Sequence, residues 1–228
     1  MNKSVFKKAL TACIPVISSF IVIGISFGVV VQSRGFGALW AGAMSVFIYA
    51  GSMQFVALEL MTSGAGLLTV ALTTVMVNLR HVFYGLSMIE PYKHMGKAKP
   101  YLIFALSDET YSLVCNPPQL EPGEEKAFYL LVSLMNQASW VLGSILGGVL
   151  GAALPFSTEG IDFALMALFV SVVAEQWLST KEHTPALLGL GLSLLCLLLF
   201  GPENFLLPSM LLILLGLSLY RLGKGAKA

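Results

Sequence analysis

Asn78, Arg80, His81 and Tyr84 lie close together in a stretch, residues 66–88, that is otherwise apolar. A charged side chain at the centre of a membrane costs about 3 kcal/mol on insertion scales, so such a residue usually faces a bundle interior or a wet cavity. The guanidinium of Arg80 presents a planar fork of donors that suits a carboxylate, either of this chain or of a substrate. His81 can carry a proton near neutral pH, and a satisfied core histidine is the alternative.

Two adjacent acids, Asp108 and Glu109, interrupt another apolar run, residues 101–116. Neighbouring residues on a helix point about 100° apart, so the two carboxylates do not suit a catalytic dyad. We expect one of them to pair with Arg80 and the other to bind a proton, because burial favours the neutral form of a carboxyl group. The alternative is that the acidic pair marks a membrane boundary.

The apolar run 38–61 contains Gly51 and Ser52, which can let a membrane helix unwind and free backbone groups for a zwitterion. Gln54 and Phe55 follow directly, and Glu59 lies one turn further as a candidate for proton coupling. Close packing of helices through small residues is the alternative interpretation.

Composition places this chemistry in a membrane. Of the 228 residues, 57% are hydrophobic and 11% are charged, and the mean hydropathy is +0.84, whereas a soluble domain is about 25% charged. Strict alternation, the mark of a membrane barrel, is absent. We predict an all-α, polytopic helical bundle. The basic residues form no patch for nucleic acid, and no Walker A motif or catalytic triad is found, so we expect no enzyme.

Eight apolar runs are candidate membrane segments, namely residues 10–32, 38–61, 66–88, 101–116, 128–154, 161–178, 185–200 and 205–220. Both termini are basic, which places both in the cytoplasm and makes the number of crossings even. Eight crossings would put the basic loop 90–100 outside. Re-entrant or broken segments at 66–88 and 101–116 would remove this conflict. We therefore predict six to eight crossings.

The chain is predicted to be one membrane domain, residues 1–228, with a possible duplication into halves 10–116 and 128–220. Gly24 and Gly28 in the first half resemble Gly143 and Gly147 in the second. Transporters often arise from such repeats. Because glycine is abundant, we expect these two series to be helix-packing motifs in the first place.

A helical wheel over residues 72–87 separates two faces. Arg80, His81 and Tyr84 share a polar face with hydroxyls and an amide, while Phe83 lies on the apolar face with the leucines and valines. A polar side of this kind faces partner helices or water rather than lipid. The alternative is a helix that lies in the membrane interface.

Three blocks of sequence resemble the AzlC family. They are Gly51-Ser52-Met53-Gln54-Phe55, the run Asn78 to Ser87 (NLRHVFYGLS), and Asp108-Glu109-Thr110-Tyr111. The resemblance implies the large subunit of a bacterial branched-chain amino-acid exporter, which works with a small, hydrophobic AzlD-type membrane subunit. It implies valine, leucine, isoleucine and methionine as substrates, and it assigns no binding residues.

The sequence-based hypothesis is therefore a bacterial inner-membrane exporter of branched-chain amino acids driven by proton antiport, with no cofactor and no metal. Arg80 and the backbone at Gly51 would hold the substrate carboxylate, and Asp108 or Glu109 would face its ammonium. Phe55 and Phe83 would shape an apolar pocket. The candidate substrate-binding residues are Gly51, Ser52, Gln54, Phe55, Asn78, Arg80, Phe83 and Tyr84, and the candidates for proton coupling are Glu59, His81, Asp108 and Glu109. A channel or importer, or a membrane scaffold, is the rival interpretation, and a homo-oligomer stays open.

Overall fold

A computed structural model describes residues 3–153, 170, 173–174, 177–178 and 182–225. These residues contain helices and no strand, which confirms the predicted all-α class. The helices are α1 (Lys3–Ser33), α2 (Gly37–Phe47), α3 (Gly51–Thr62), α4 (Leu67–Ser87), α5 (Lys99–Phe104), α6 (Asp108–Val114), α7 (Glu125–Ala153), α8 (Thr184–Asn204) and α9 (Leu206–Gly225). A short 3-10 turn, Gly96–Ala98, precedes α5.

Four described helices are long and apolar enough to cross a membrane: α1, α4, α7 and the part of α8 from Thr184 to Gly201. The predicted segment 161–178 lies largely outside the described residues. The structure forms two compact units, Met1–Ala164 and Leu165–Ala228. The residues of the candidate site all belong to the first unit.

The first unit is built on a seam between α1 and α7, where the glycines of the two helices face each other. A Cβ at Gly143 would lie 2.7 Å from the Ile21 carbonyl oxygen. A Cβ at Gly28 would collide with the Ser144 carbonyl oxygen, and one at Gly147 with that of Ile25. Only glycine permits this backbone approach, so the predicted packing role of these motifs is confirmed.

Two predicted membrane segments are each broken into two helices. The run 38–61 stops at Phe47 and resumes at Gly51, with Tyr49 between them at φ 43°. The run 101–116 is interrupted by residues 105–107, between α5 and α6. Neither run is the single span that its hydropathy predicts, because each half is too short to cross hydrocarbon.

The first broken pair, α2 and α3, folds back on itself. The Gln54 amide nitrogen in α3 donates to the Ser45 hydroxyl in α2 at 3.2 Å. Arg34, which precedes α2, forms an ion pair at 3.2 Å with Glu59 near the end of α3. The chain thus enters and leaves from the side where α1 ends, so α2 and α3 form a re-entrant hairpin with its tip at residues 48–50.

The second broken pair, α5 and α6, enters from the opposite side. Leu102 of α5 and Val114 of α6 are buried in one apolar cluster with Val5 and Ala9 at the start of α1. This second re-entrant hairpin has its tip at residues 105–107. The two hairpins therefore approach each other from the two ends of the α1–α7 pair. Non-helical backbone at membrane depth is tolerated when it is buried in protein in this way.

The amino-terminal side also holds the loops on either side of the second hairpin. Met88 and Tyr92 of the basic loop are buried in the same apolar cluster as the start of α1. Lys8 forms an ion pair at 3.2 Å with Glu124, in the loop before α7. Loop 90–100 therefore lies on the same side as the amino terminus, as its charge predicts. Of the two segments predicted to be re-entrant, 101–116 is a hairpin, whereas 66–88 is an unbroken helix. The other hairpin is formed by 38–61 instead.

The second unit contains α8 and α9, which pack as a pair. Their contact includes Gly216, whose Cβ position would be 2.9 Å from the Leu188 side chain. The Tyr220 hydroxyl donates to the Glu182 carboxylate at 2.6 Å. Gly201 has φ 72°, a left-handed conformation that breaks the helical path within α8 and that glycine adopts without steric cost.

Candidate functional site

Arg80 joins the tips of both hairpins. One guanidinium nitrogen lies 2.6 Å from the Asp108 carboxylate at the start of α6, and another donates to the Ser52 hydroxyl at the start of α3, at 2.7 Å. The predicted pairing of Arg80 with one member of the acidic pair is confirmed. The Arg80 side chain is still 42% exposed and that of Asp108 34%, and a guanidinium carries more N–H donors than these two bonds use. The Arg80 guanidinium can therefore bind a second carboxylate.

Two side chains in the middle of α7 form hydrogen bonds with both hairpins. Gln137 accepts a hydrogen bond from the Tyr101 hydroxyl of α5 at 2.8 Å and donates to the Val46 carbonyl of α2 at 3.3 Å. The neighbouring Asn136 donates to the Thr110 hydroxyl of α6 at 3.1 Å. We call the tips 48–50 and 105–107, together with Arg80, Asn136 and Gln137, the hairpin junction.

Ser107 fixes the start of α6 at this junction. Its hydroxyl accepts the Thr110 backbone N–H at 3.2 Å, which is the usual role of a serine at a helix N-cap. Asp108 and Glu109 follow in the first turn of α6, as acidic residues prefer. The cap therefore places the two carboxyl groups beside the break. In the described part of the chain, Asp108 has an ion pair with Arg80, whereas no ion pair involves Glu109.

The other predicted residues of α4 surround Arg80 in different ways. Asn78 donates to the Thr74 carbonyl at 3.0 Å, and its own side-chain oxygen is buried without a partner among the described residues. The Nδ1 of His81 lies 3.2 Å from the Asn78 carbonyl oxygen, so this ring is tied to its own helix. Tyr84 lies near Asp108 and stacks on Tyr111, with ring centroids 4.5 Å apart.

Four predicted site residues are not brought to Arg80. The fully buried Gln54 amide accepts from the Trp140 indole at 2.8 Å and donates to Ser45. Phe55 is buried against Phe27 of α1, with ring centroids 5.1 Å apart. Glu59 pairs with Arg34 at the far end of α3, and Phe83 is 55% exposed on the apolar face of α4. Gly51 begins α3 next to the Trp140 ring, 3.4 Å from the position of an added Cβ.

Sequence reasoning missed three residues of the junction: Tyr49, Asn136 and Gln137. Adjacent amides inside the 29-residue apolar helix α7 are a usable signal, because polar side chains in membrane helices bond to neighbouring helices. Tyr49 carries no such signal, since an aromatic residue in an apolar run usually indicates a continuous helix. Its left-handed backbone is set by the contacts around it.

A metal centre of the usual kind cannot be built from the described residues, because no three His, Cys, Asp or Glu side chains converge there. All three cysteines are free thiols, of which Cys13 and Cys196 are buried and Cys115 is half-buried.

The family model described as AzlC protein matches residues 15–154, which contain both hairpins and the junction. The chain belongs to the AzlC family. An AzlC relative, the branched-chain amino acid transport protein AzlC of Bacillus subtilis strain 168, is 40% identical over 94% of this chain and 86% of its own length.

Similar proteins occur in other bacteria. An uncharacterized membrane protein of Haemophilus influenzae is 40% identical over 87% of this chain and 82% of its own length. The inner membrane protein YgaZ of Escherichia coli K12 is 29% identical over 75% of this chain and 72% of its own length. No solved structure matches the chain.

Proposed function

We propose that this AzlC-family protein exports branched-chain amino acids across the bacterial inner membrane by proton antiport. The observation that carries the proposal is the position of Arg80, which bonds to the starts of two re-entrant half-helices that enter from opposite sides. Transporters commonly place the substrate carboxylate where interrupted membrane helices meet. The name of the relative from Bacillus subtilis supports the substrate class.

Arg80 is the proposed carboxylate ligand. Its guanidinium has free donors, it is partly open, and Ser52 next to it begins α3, whose first backbone N–H groups have no partner within the helix. A zwitterion with an apolar tail would place its carboxylate on these donors. Discrimination between aliphatic side chains is expected to be weak, because one methylene changes binding by only about 1–3 kcal/mol.

Glu109 is the proposed proton carrier. Asp108 already has its positive partner in Arg80, so protonating it would break a 2.6 Å ion pair. Glu109 lies beside it in the first turn of α6 and takes part in no ion pair within the described chain. A carboxyl group without a fixed cation can gain and lose a proton without breaking the junction, as an antiporter needs.

In this proposal the protein works with an AzlD-type small membrane subunit, and both termini of the chain face the cytoplasm. The apolar face of α4 supports a membrane or subunit neighbour, since Val75, Val82, Phe83 and Leu86 are all more than half exposed. The basic loop 90–100 lies on the same side as the lysines of the amino terminus, which supports a cytoplasmic position for both.

Efflux from cells loaded with a leucine-containing dipeptide tests this function. Arg80→Lys keeps the charge but removes the fork, so we expect efflux to fall roughly 10- to 100-fold, the effect of losing about 1.5–3 kcal/mol of charged hydrogen bonding. Arg34→Lys changes an ion pair outside the junction and is the matched control, with unchanged efflux expected. Each variant is measured with and without a co-expressed small subunit.

Two results would contradict the proposal. The first is equal efflux in cells with and without the gene, with the small subunit present. The second is a wild-type rate of efflux from the Arg80→Lys variant. Collapse of the proton gradient separates an antiporter from a channel, because a channel keeps its downhill flux when the gradient is lost.

A further inference from the structure

Tyr49 has the most unusual position in the hairpin junction. It is the one non-glycine residue with a positive φ among the described residues, at 43°. Its side chain is 5% exposed, and its ring contacts Phe104 at the other tip, with centroids 6.3 Å apart. A left-handed conformation costs a residue with a bulky side chain about 1–3 kcal/mol, and such strain clusters at ligand sites.

The Tyr49 hydroxyl is buried and has unused hydrogen-bonding capacity. It lies beside the hydroxyls of Ser107 and Thr110 but makes no aligned hydrogen bond with any described residue. A buried polar group without a partner costs about 1–3 kcal/mol, so native structures seldom leave one unused. The hydroxyl is therefore available to a ligand at the point where the tips meet.

Two further oxygens without partners come from the face of α7 that the second tip contacts. Asn136 is fully buried and uses its amide nitrogen on Thr110, which leaves its side-chain oxygen without a partner in the described structure. Ser133, also fully buried, lies one turn earlier on the same face, and its hydroxyl is likewise unpartnered there. Buried oxygens without a partner among the described residues thus come from the first tip (Tyr49) and from α7 (Asn136 and Ser133), and Tyr49 and Asn136 both lie beside Thr110.

We infer that Tyr49, Asn136 and Ser133 form a binding site for a small cation, which is either the ammonium group of the amino-acid substrate or a sodium ion. All three oxygens can accept hydrogen bonds or coordinate a hard cation. Asp108 binds Arg80 through one carboxylate oxygen and leaves its other oxygen buried without a partner among the described residues, while the Glu109 carboxylate lies near Tyr49. This inference rests on the proposed function and replaces the sequence-based expectation that Asp108 or Glu109 faces the ammonium.

The arrangement also separates the two charges of a zwitterion. Arg80 binds Asp108, and Asn136 binds Thr110 two residues later, so the carboxylate donors and the cation site lie within one turn of α6. An amino acid bound across this turn would place its carboxylate on Arg80 and its ammonium group among the oxygens of Tyr49, Asn136 and Ser133. Its side chain is left to the apolar surroundings.

Thermal unfolding of the purified full-length chain, followed by tryptophan fluorescence, tests the inference. The probes are leucine, leucinol (an ammonium without a carboxylate), 4-methylpentanoate (a carboxylate without an ammonium), and sodium chloride against choline chloride. We expect leucine and either leucinol or sodium to raise the midpoint with concentration, since a ligand of the folded state stabilises it. Leucinol and sodium distinguish the two sources of the cation.

Tyr49→Phe removes only the hydroxyl and should weaken the response to the effective cation probe at least about fivefold. Tyr92→Phe is the matched control, because Tyr92 is also buried with an unpartnered hydroxyl but lies in the apolar cluster near the amino terminus. If leucine stabilises the protein while leucinol and sodium do not, the inference is wrong and the proposed function stands. If Tyr49→Phe responds to the cation probe as the wild type does, the inference is also wrong and the proposed function still stands. If no probe raises the midpoint of the chain, either alone or purified with the small subunit, both the inference and the proposed function are wrong.

Discussion

The α1–α7 seam and the hairpin junction share helix α7, but they treat polar atoms in opposite ways. Beside the seam, where α2 and α3 pack on α7, Ser45 donates to Ser144 at 2.8 Å, and Gln54 bonds to both Ser45 and Trp140. The buried polar groups there form a closed chain of hydrogen bonds. At the junction, oxygens of Tyr49 and Asn136 have no partner in the described structure.

The difference separates stability from function within one helix. A satisfied network in a close-packed region fixes the position of its members, because each broken bond would leave a buried polar atom. The junction keeps its shape through Gln137 and Arg80 while leaving oxygens and donors free. Substrate-binding residues are therefore expected at the junction. Replacement of a residue beside the seam, such as Gln54, is expected to lower the stability of the fold.

The largest effect should come from a methyl group added to the seam. In Gly28→Ala the new Cβ would collide with the Ser144 carbonyl oxygen, so α1 and α7 must separate. We expect a loss of about 3 kcal/mol in the free energy of unfolding, or no folded protein, measured by denaturation of the solubilised chain. Gly191→Ala is the control, because its Cβ position has open space around it. Equal stability of the two variants would contradict the packing of the seam.

An intermediate effect is expected at Glu109, where the fold should survive but coupling should not. Glu109→Gln keeps the size of the side chain and removes its titration, so efflux should lose its dependence on the external pH. Asp108→Asn breaks the ion pair with Arg80 and should instead lower efflux at every pH. The measurement is the efflux rate between about pH 5 and 8, the range in which a proton carrier would titrate. A normal pH profile in Glu109→Gln would remove it as the carrier.

The smallest effect is expected from Phe83→Ala. Phe83 points away from the junction on the exposed apolar face, so efflux should change less than about twofold, and the unfolding midpoint should stay close to that of the wild type. Phe27→Ala is the contrasting variant, because Phe27 is fully buried against Phe55 and Trp140. Phe27→Ala should lower the free energy of unfolding by about 3 kcal/mol, no more than Gly28→Ala does. A strong efflux defect in Phe83→Ala alone would restore its predicted place in a substrate pocket.

The sequence predicts the long helices well, because hydropathy alone determines them. The predicted segments 10–32, 66–88 and 128–154 correspond closely to α1, α4 and α7. The glycine motifs were also assigned correctly, since small residues at four-residue spacing have one common use in membrane helices. The pairing of Arg80 with the acidic residues follows from the same logic, because a buried charge needs a partner.

The helix breaks were harder to find. The first break had a local signal in Gly51 and Ser52, which were expected to let the run 38–61 unwind, and it lies at residues 48–50, directly before Gly51. Ser107 followed by two acids is a recognisable helix start, so the second break had a local signal. Unbroken apolar composition hides a re-entrant hairpin, because lipid-facing and protein-facing residues there are equally apolar.

The number of crossings follows from this correction. Residues 3–153 contain three helices long and apolar enough to cross, namely α1, α4 and α7, and we expect three crossings there because the two hairpins return to the side they entered. One crossing each by 161–178, α8 and α9 would give a total of six, the lower end of the predicted range. The total, the predicted single domain and the proposed duplication stay predictions.

Gln137 has a mechanical consequence. Its amide oxygen holds the hairpin that enters from the amino-terminal side, and its amide nitrogen holds the hairpin that enters from the other. Neither hairpin can slide along α7 without pulling on the same side chain. A displacement that begins at one face of the bilayer is therefore transmitted to the opposite face through a single amide.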